Sequence, residues 1–118
     1  MYVQGFVIPV PDGRKEDYRK MAAEATDIFA DYGCVEIVET WEDNVQDGKH
    51  TDFRTAVKAE PGEKIVFSWM VWPDKATCEA AHGKMMNDER MAMPPEDMPF
   101  CGKRMIFGGF EPIFTYGR

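Results

Sequence analysis

The first thirty residues carry two different apolar rhythms. Tyr2 to Val10 is rich in Val, Ile, Phe and Tyr and runs into Pro9-Val10-Pro11-Asp12-Gly13, which predicts a strand followed by a turn. From Lys15 onward Tyr18, Met21, Ala22, Ala25, Ile28, Phe29 and Tyr32 recur at steps of three and four, the stripe of one buried helix face. Asp12 or Gly13 is the expected cap of that helix, Gly33 its left-handed stop, and Glu16 with Lys20 a supporting pair on its exposed side. Cys34 to Glu42 then predicts a second strand, with Val35, Ile37 and Trp41 on one side and Glu36, Thr40 and Glu42 on the other. Two residues break its alternation: Glu39 falls on the apolar side and Val38 on the polar side.

Asp43 to His50 is a polar connection, after which Thr51 or Asp52 is expected to cap a short helical turn through Phe53, Arg54 and Ala56, closed by Pro61-Gly62. Ile65 to Trp72 predicts a third strand with Ile65, Phe67, Trp69 and Val71 on one face and Val66, Ser68, Met70 and Trp72 on the other. It is apolar on nearly every side, so both faces need cover. Pro73-Asp74 caps a second helix with the stripe Cys78, Ala81, His82 and Met85, ending near Asp88. Met91 to Gly102, with Pro94, Pro95 and Pro99, reads as an ordered loop. Lys103 to Phe114 predicts a fourth strand in which Gly108-Gly109 marks a bulge or a close backbone approach.

The order strand, helix, strand, strand, helix, strand is that of an α+β, ferredoxin-like βαββαβ fold: a four-stranded antiparallel sheet with two helices on one face. We read residues 1–118 as one such domain, with 45–62 and 90–102 as loop or short-helix inserts. Two helices cover one face only. Yet Val7 opposes Phe6 and Ile8, Phe67 and Trp69 oppose Met70 and Trp72, and Phe107 opposes Ile106 and Phe110. An apolar second face of that extent marks an interface, and the expectation is a homodimer whose sheets face each other across a barrel-like interior.

Composition narrows the classes further. Twenty-one acidic against 14 basic side chains leave a net charge of −7, the wrong sign for neutralising phosphates, so no nucleic-acid partner is expected. Cys34, Cys78 and Cys101 are odd in number and in no CxxC spacing, which indicates neither a disulfide framework nor a zinc site and fits the cytoplasm. The N-terminus lacks the basic start of a signal peptide, and the apolar run from Ile65 to Trp72 is far too short for a bilayer. No membrane role, no metal and no cofactor are expected, since there is no Rossmann fingerprint, P-loop or zinc motif.

The passage Trp72-Pro73-Asp74-Lys75-Ala76-Thr77-Cys78-Glu79-Ala80-Ala81-His82 resembles the strand-to-helix segment of the dimeric α/β-barrel superfamily, which includes small monooxygenases and haem-degrading enzymes. More specifically, Tyr2-Val3-Gln4-Gly5-Phe6-Val7, Thr51-Asp52-Phe53-Arg54, Val66-Phe67-Ser68-Trp69, Lys84-Met85-Met86-Asn87-Asp88 and the run from Met98 to Pro112 are similar to the YbaA-like family of bacterial proteins. That resemblance implies a ferredoxin-like fold and a dimer, and no particular activity.

Several constellations could carry chemistry. His50-Thr51-Asp52 with Cys101 or Ser68 has the ingredients of a nucleophile set, but Asp52 is equally a helix cap and His50 a loop residue. His82, on the helix stripe, reads as a histidine hydrogen-bonded to backbone. Six of the nine methionines lie between Met85 and Met105, soft ligands for Cu(I) or adaptable packing. The candidate ligand-binding residues are Trp41, Asp52, Trp69, Phe100 and Arg104: a ring to stack on, and a guanidinium to fix a carboxylate or to pair with an acid such as Glu39. No catalytic residue is assigned. The expected function is binding of a small apolar or aromatic molecule in a dimeric α/β barrel, with a cofactor-independent monooxygenase-like enzyme as its catalytic form. The alternative is a noncatalytic homodimeric interaction or stress-associated protein with no ligand pocket.

Overall fold

The structure is a computed structural model that describes residues 1–93 and 97–117. Strands β1 (Tyr2–Pro11), β2 (Glu36–Trp41), β3 (Glu63–Trp72) and β4 (Ile106–Phe110) form one sheet in the order β2-β3-β1-β4. All three pairings are antiparallel. Helices α1 (Lys15–Asp31) and α3 (Lys75–Met85) follow β1 and β3, and a four-residue helix α2 (Phe53–Ala56) sits in the insert between β2 and β3. This is the ferredoxin-like α+β arrangement.

Register decides which residues meet the helices. Tyr2 pairs with Trp72, Gln4 with Met70, Phe6 with Ser68 and Ile8 with Val66. Since side chains alternate along a strand, one face carries these residues together with Ile37, Glu39 and Trp41 of β2, and it packs in two clusters. Under α1 lie Ile8, Val10, Tyr18 and Val66, with Phe6, Met21, Trp41, Phe100 and Met105 against them. Under α3 lie Trp72, Cys78, Ala81 and Met85, with Tyr2, Phe29, Tyr32, Cys34 and Met70. Opposite, the second face holds Phe67, Trp69, Ile106 and Phe110, joined by Phe53 of α2, whose ring meets that of Phe67 edge-on at 6.1 Å. Phe53, Phe67, Ile106 and Phe110 are all exposed.

Local chemistry accounts for the element ends, and in places corrects the sequence reading. Asp74 caps α3 by accepting from the Thr77 amide at 2.7 Å, and Gly33 stops α1 with φ at +105°, both as the sequence predicts. At the start of α1, Asp12 to Arg14 form a 3₁₀ turn and no side chain caps the helix; Asp12 and Gly13 are taken up in that turn, which leaves Arg14 and not either of them at the cap position. Glu16 bonds to Arg19 and not to Lys20. Strand β4 is shorter than predicted, and Ile113, Phe114 and Tyr116 beyond it are exposed. Gly109 is the close approach: a side chain there would collide with the Tyr2 ring. Of the methionine-rich loop, Pro94 and Pro95 lie outside the described residues.

Candidate functional site

Beneath α1 the helix and sheet do not close on each other. A cavity of about 400 Å³ lies between them, within the size range of small-ligand sites. Its floor is Phe6, Ile8, Ile37, Glu39, Ser68 and Met70 from the sheet, and its roof is Tyr18, Met21, Ala22, Ala25, Ile28 and Phe29 from α1. Arg90, Met91, Ala92, Met93, Met98, Phe100 and Met105 close one side. The space follows from side-chain size. Ala22 and Ala25 occupy the middle of the α1 stripe, and the small Ser68 lies between Val66 and Met70 on the facing strand. A second recess of about 350 Å³ adjoins it, with Lys15, Arg19, Trp41 and Val66 on its walls, and shares Tyr18, Ala22, Ile37 and Glu39.

The shared wall is polar. Tyr18 Oη donates to Glu39 Oε1 at 2.7 Å, and the Ser68 hydroxyl interacts with both. The two hydroxyl residues are buried at 5% and 3% exposure. Glu39, on edge strand β2, is exposed to solvent and lines both recesses. Desolvation by the surrounding wall raises the Glu39 carboxyl above the usual carboxylate range, against the hydrogen bonds from Tyr18 and Ser68, which lower it. Burial first, then the charge and the hydrogen bond of Glu39, push the Tyr18 phenol well above its ordinary value. These directions keep the Tyr18 phenol protonated, with its hydrogen bond running to Glu39.

The predicted site residues separate. Phe100 lines the main cavity and meets Tyr18 edge-on at 5.8 Å. Trp41 lines the adjoining recess, with Lys15 Nζ 5.7 Å from its ring centre. Trp69 lies on the other face of the sheet, its Nε1 donating to Glu36 at 3.1 Å. Asp52 caps α2, accepting from the Thr55 amide at 2.7 Å and from the Gly48 amide at 3.0 Å, which lowers its carboxyl. Arg104 pairs through two nitrogens with Glu63, at 2.6 and 2.7 Å, and donates to the Lys58 carbonyl at 3.0 Å. Its acid is therefore Glu63; Glu39 is taken by Tyr18. His82 is exposed and meets a side chain in place of the expected backbone: Gln4 Nε2 lies 2.7 Å from its Nε2, and Gln4 Oε1 accepts from Trp72 Nε1 at 2.8 Å.

Tyr18, Ser68 and six methionines (Met21, Met70, Met91, Met93, Met98 and Met105) were not singled out as one site by pattern. The available signal was the pair of polar residues on apolar strand faces, Glu39 and Ser68. They lie directly opposite one another in the β2–β3 register. Among the described residues no group of three or more His, Cys, Asp or Glu could hold a metal ion, and no helix is long and apolar enough to cross a membrane.

Comparison with known proteins adds a family. The model of a protein of unknown function (DUF1428) matches residues 1–102. The chain belongs to the DUF1428 family. It is 55% identical over 112 residues, 95% of this chain and 96% of the relative, to the uncharacterized protein YbaA of Escherichia coli K12, and equally to that of Shigella flexneri. The cavity therefore belongs to a DUF1428 member with close YbaA relatives across nearly its whole length. Among solved structures it is similar to a MhuD mutant with two manganese protoporphyrin IX molecules bound per active site, at a TM-score of 0.59 and 16% identity, over 100% of both chains. At that identity the likeness shows the fold.

Proposed function

We propose that this DUF1428 protein binds a small apolar or aromatic molecule in the cavity under α1. The observation that carries the reading is the combination of a ligand-sized, methionine-lined space with one polar wall, Tyr18, Glu39 and Ser68; binding sites are mainly apolar with a few placed polar groups. The bound porphyrins of the MhuD structure are in keeping with small-molecule binding on this fold. Phe100 contributes its ring to the site, and Trp41 borders it. Asp52 and Arg104 fix the insert and strand ends that frame the sheet. The enzymatic form of the proposal, a cofactor-independent monooxygenase-like activity, rests on the Glu39 carboxylate beside the bound molecule, where it would serve as general base.

Methyl-labelled methionine reports the proposal directly. Titration with naphthalene as an apolar probe is expected to shift the methyl signals of Met21, Met70, Met91, Met93, Met98 and Met105 and to leave those of Met1 and Met86 in place. If no cavity methyl moves, the reading falls.

A second reading concerns assembly and is compatible with the first. The face opposite the helices exposes Phe53, Phe67, Ile106 and Phe110, an apolar surface that a second copy of the sheet would cover. We propose a cytoplasmic homodimer joined through this face. Trp69 then sits in the interior between the sheets. Light scattering at micromolar concentration is expected to give the mass of two chains, and Phe67→Asp to give one; a single-chain mass for the unaltered protein overturns it. Should the cavity also prove empty of any affinity, the interaction-protein alternative takes its place.

A further inference from the structure

The charge arrangement inside the α1 cavity selects its ligand. Three charged residues line it among those described: Glu24, Glu39 and Arg90. Arg90 is already paired with two carboxylates. Its Nη1 donates to Asp31 at 2.8 Å, its Nη2 to Asp88 at 2.8 Å, and its Nε to both oxygens of Asp88 at 3.2 and 3.3 Å. Asp88 in turn accepts from Tyr32 at 2.6 Å. One guanidinium held by two carboxylates leaves that rim acidic.

The polar wall has the same bias. A carboxylate accepts at about four lone-pair sites and donates at none. Tyr18 occupies part of that capacity at Glu39 with its hydroxyl proton, and Glu39 lines both recesses. Tyr18 has committed its proton to the carboxylate and Ser68 interacts with both groups, so the charged member of the wall offers acceptors. Elsewhere the lining is methionine, phenylalanine, isoleucine and alanine, which solvates a flat or flexible apolar frame and no charge. The basic residues Lys15 and Arg19 border the adjoining recess, and Arg19 is bonded to Glu16 at 2.9 Å.

Resting on the cavity reading above, we propose that the ligand is a neutral hydrogen-bond donor, an O–H or N–H on an aromatic or apolar frame, and that the cavity rejects carboxylates and other anions. Glu39 is its recognition residue. An anionic ligand would place like charge against Glu39 and Glu24, and the one cation among the described lining residues, Arg90, is already paired with Asp31 and Asp88.

Four probes of similar size separate the terms: naphthalene, 2-naphthol, indole and 2-naphthoate, each titrated against the full chain with the methionine methyl signals as readout. Because six of the nine methionines line this cavity, binding in the adjoining recess or on the open sheet face is told apart from binding here. 2-Naphthol and indole are expected to bind roughly tenfold more tightly than 2-naphthoate, the scale of one hydrogen bond to a charged acceptor. In Glu39→Gln, where the residue can donate as well as accept, 2-naphthoate gains and the ratio falls to within about threefold. Because Glu39 is on an edge strand and solvent-reachable, that variant keeps the fold. 2-Naphthoate binding as tightly as 2-naphthol in the unaltered protein overturns the inference without need of any variant. So does a ratio unchanged by Glu39→Gln. If naphthalene binds and the donors gain nothing over it, the cavity reading stands and this inference fails; if none of the four moves a cavity methyl, both fail.

Discussion

Two helices lie on one sheet face, and they treat it differently. Under α3 the sheet offers Trp72, fully buried, and the helix meets it with Cys78, Ala81 and Met85. Under α1 the sheet offers Ser68 and Glu39, and the helix meets them with Ala22 and Ala25, leaving a space of about 400 Å³. One half is a filled core and the other holds a cavity, although the α1 stripe carries the larger side chains of the two. The difference comes from side-chain volume at a few facing positions. Protein interiors are otherwise close-packed, so the open half is the part of the layer that stability alone does not explain.

The strongest test of the contrast is Trp72→Ala. It empties the filled half and leaves Gln4 Oε1 without its donor; a loss of about 3–5 kcal/mol is expected in urea unfolding. Next, adding volume should have opposite consequences on the two sides. Ala81→Leu, in the filled half, is expected to cost about 1–3 kcal/mol by overpacking. Ala25→Leu, pointing into the cavity, is expected to cost less than about 0.5 kcal/mol and to abolish the naphthalene-dependent methyl shifts. Equal costs for the two would erase the distinction.

Two carboxyls extend the comparison to pH. Glu63, held by Arg104, is lowered below its ordinary value. Its pairing therefore supports the fold at neutral pH, and that support is lost as pH falls from the ordinary glutamate range through the lowered value. Arg104→Ala is accordingly expected to lower the unfolding free energy at pH 7 by roughly 1 kcal/mol once partial exposure is discounted, and progressively less toward pH 3. Glu39 is raised, so the native state binds the extra proton and stability declines as pH rises from the ordinary glutamate range through the raised value. Glu39→Gln is expected to melt slightly higher at pH 7 and level with the unaltered chain near pH 4. A melting profile of opposite sign would remove Glu39 from the cavity wall. This is the smallest effect, and the one most specific to the candidate site.

Much of the fold was legible because it depends on local period and on caps. The stripe from Tyr18 to Tyr32 wrote α1, Asp74 and Gly33 wrote two helix boundaries, and the two-sided apolar β3 demanded cover. The site was legible only in part. Glu39 stood out as a polar residue on an apolar face, but the alternation that exposes it says nothing about which strand lies alongside which. Trp69 and Arg104 looked like ligand contacts because an aromatic ring and a guanidinium are used that way; whether a guanidinium is free depends on which carboxylate reaches it, and Glu63 is 41 residues away.

The sequence by itself determined the elements, the faces of each strand and the family, since these follow from periodicity and from residues shared position by position. Only the tertiary structure decided that Glu39 faces Ser68 across the β2–β3 pair, that Tyr18 reaches both from α1, and that six methionines scattered from Met21 to Met105 line one space. Register and helix-to-sheet distance are set by the sum of many facing volumes, and no single stretch of chain contains that sum.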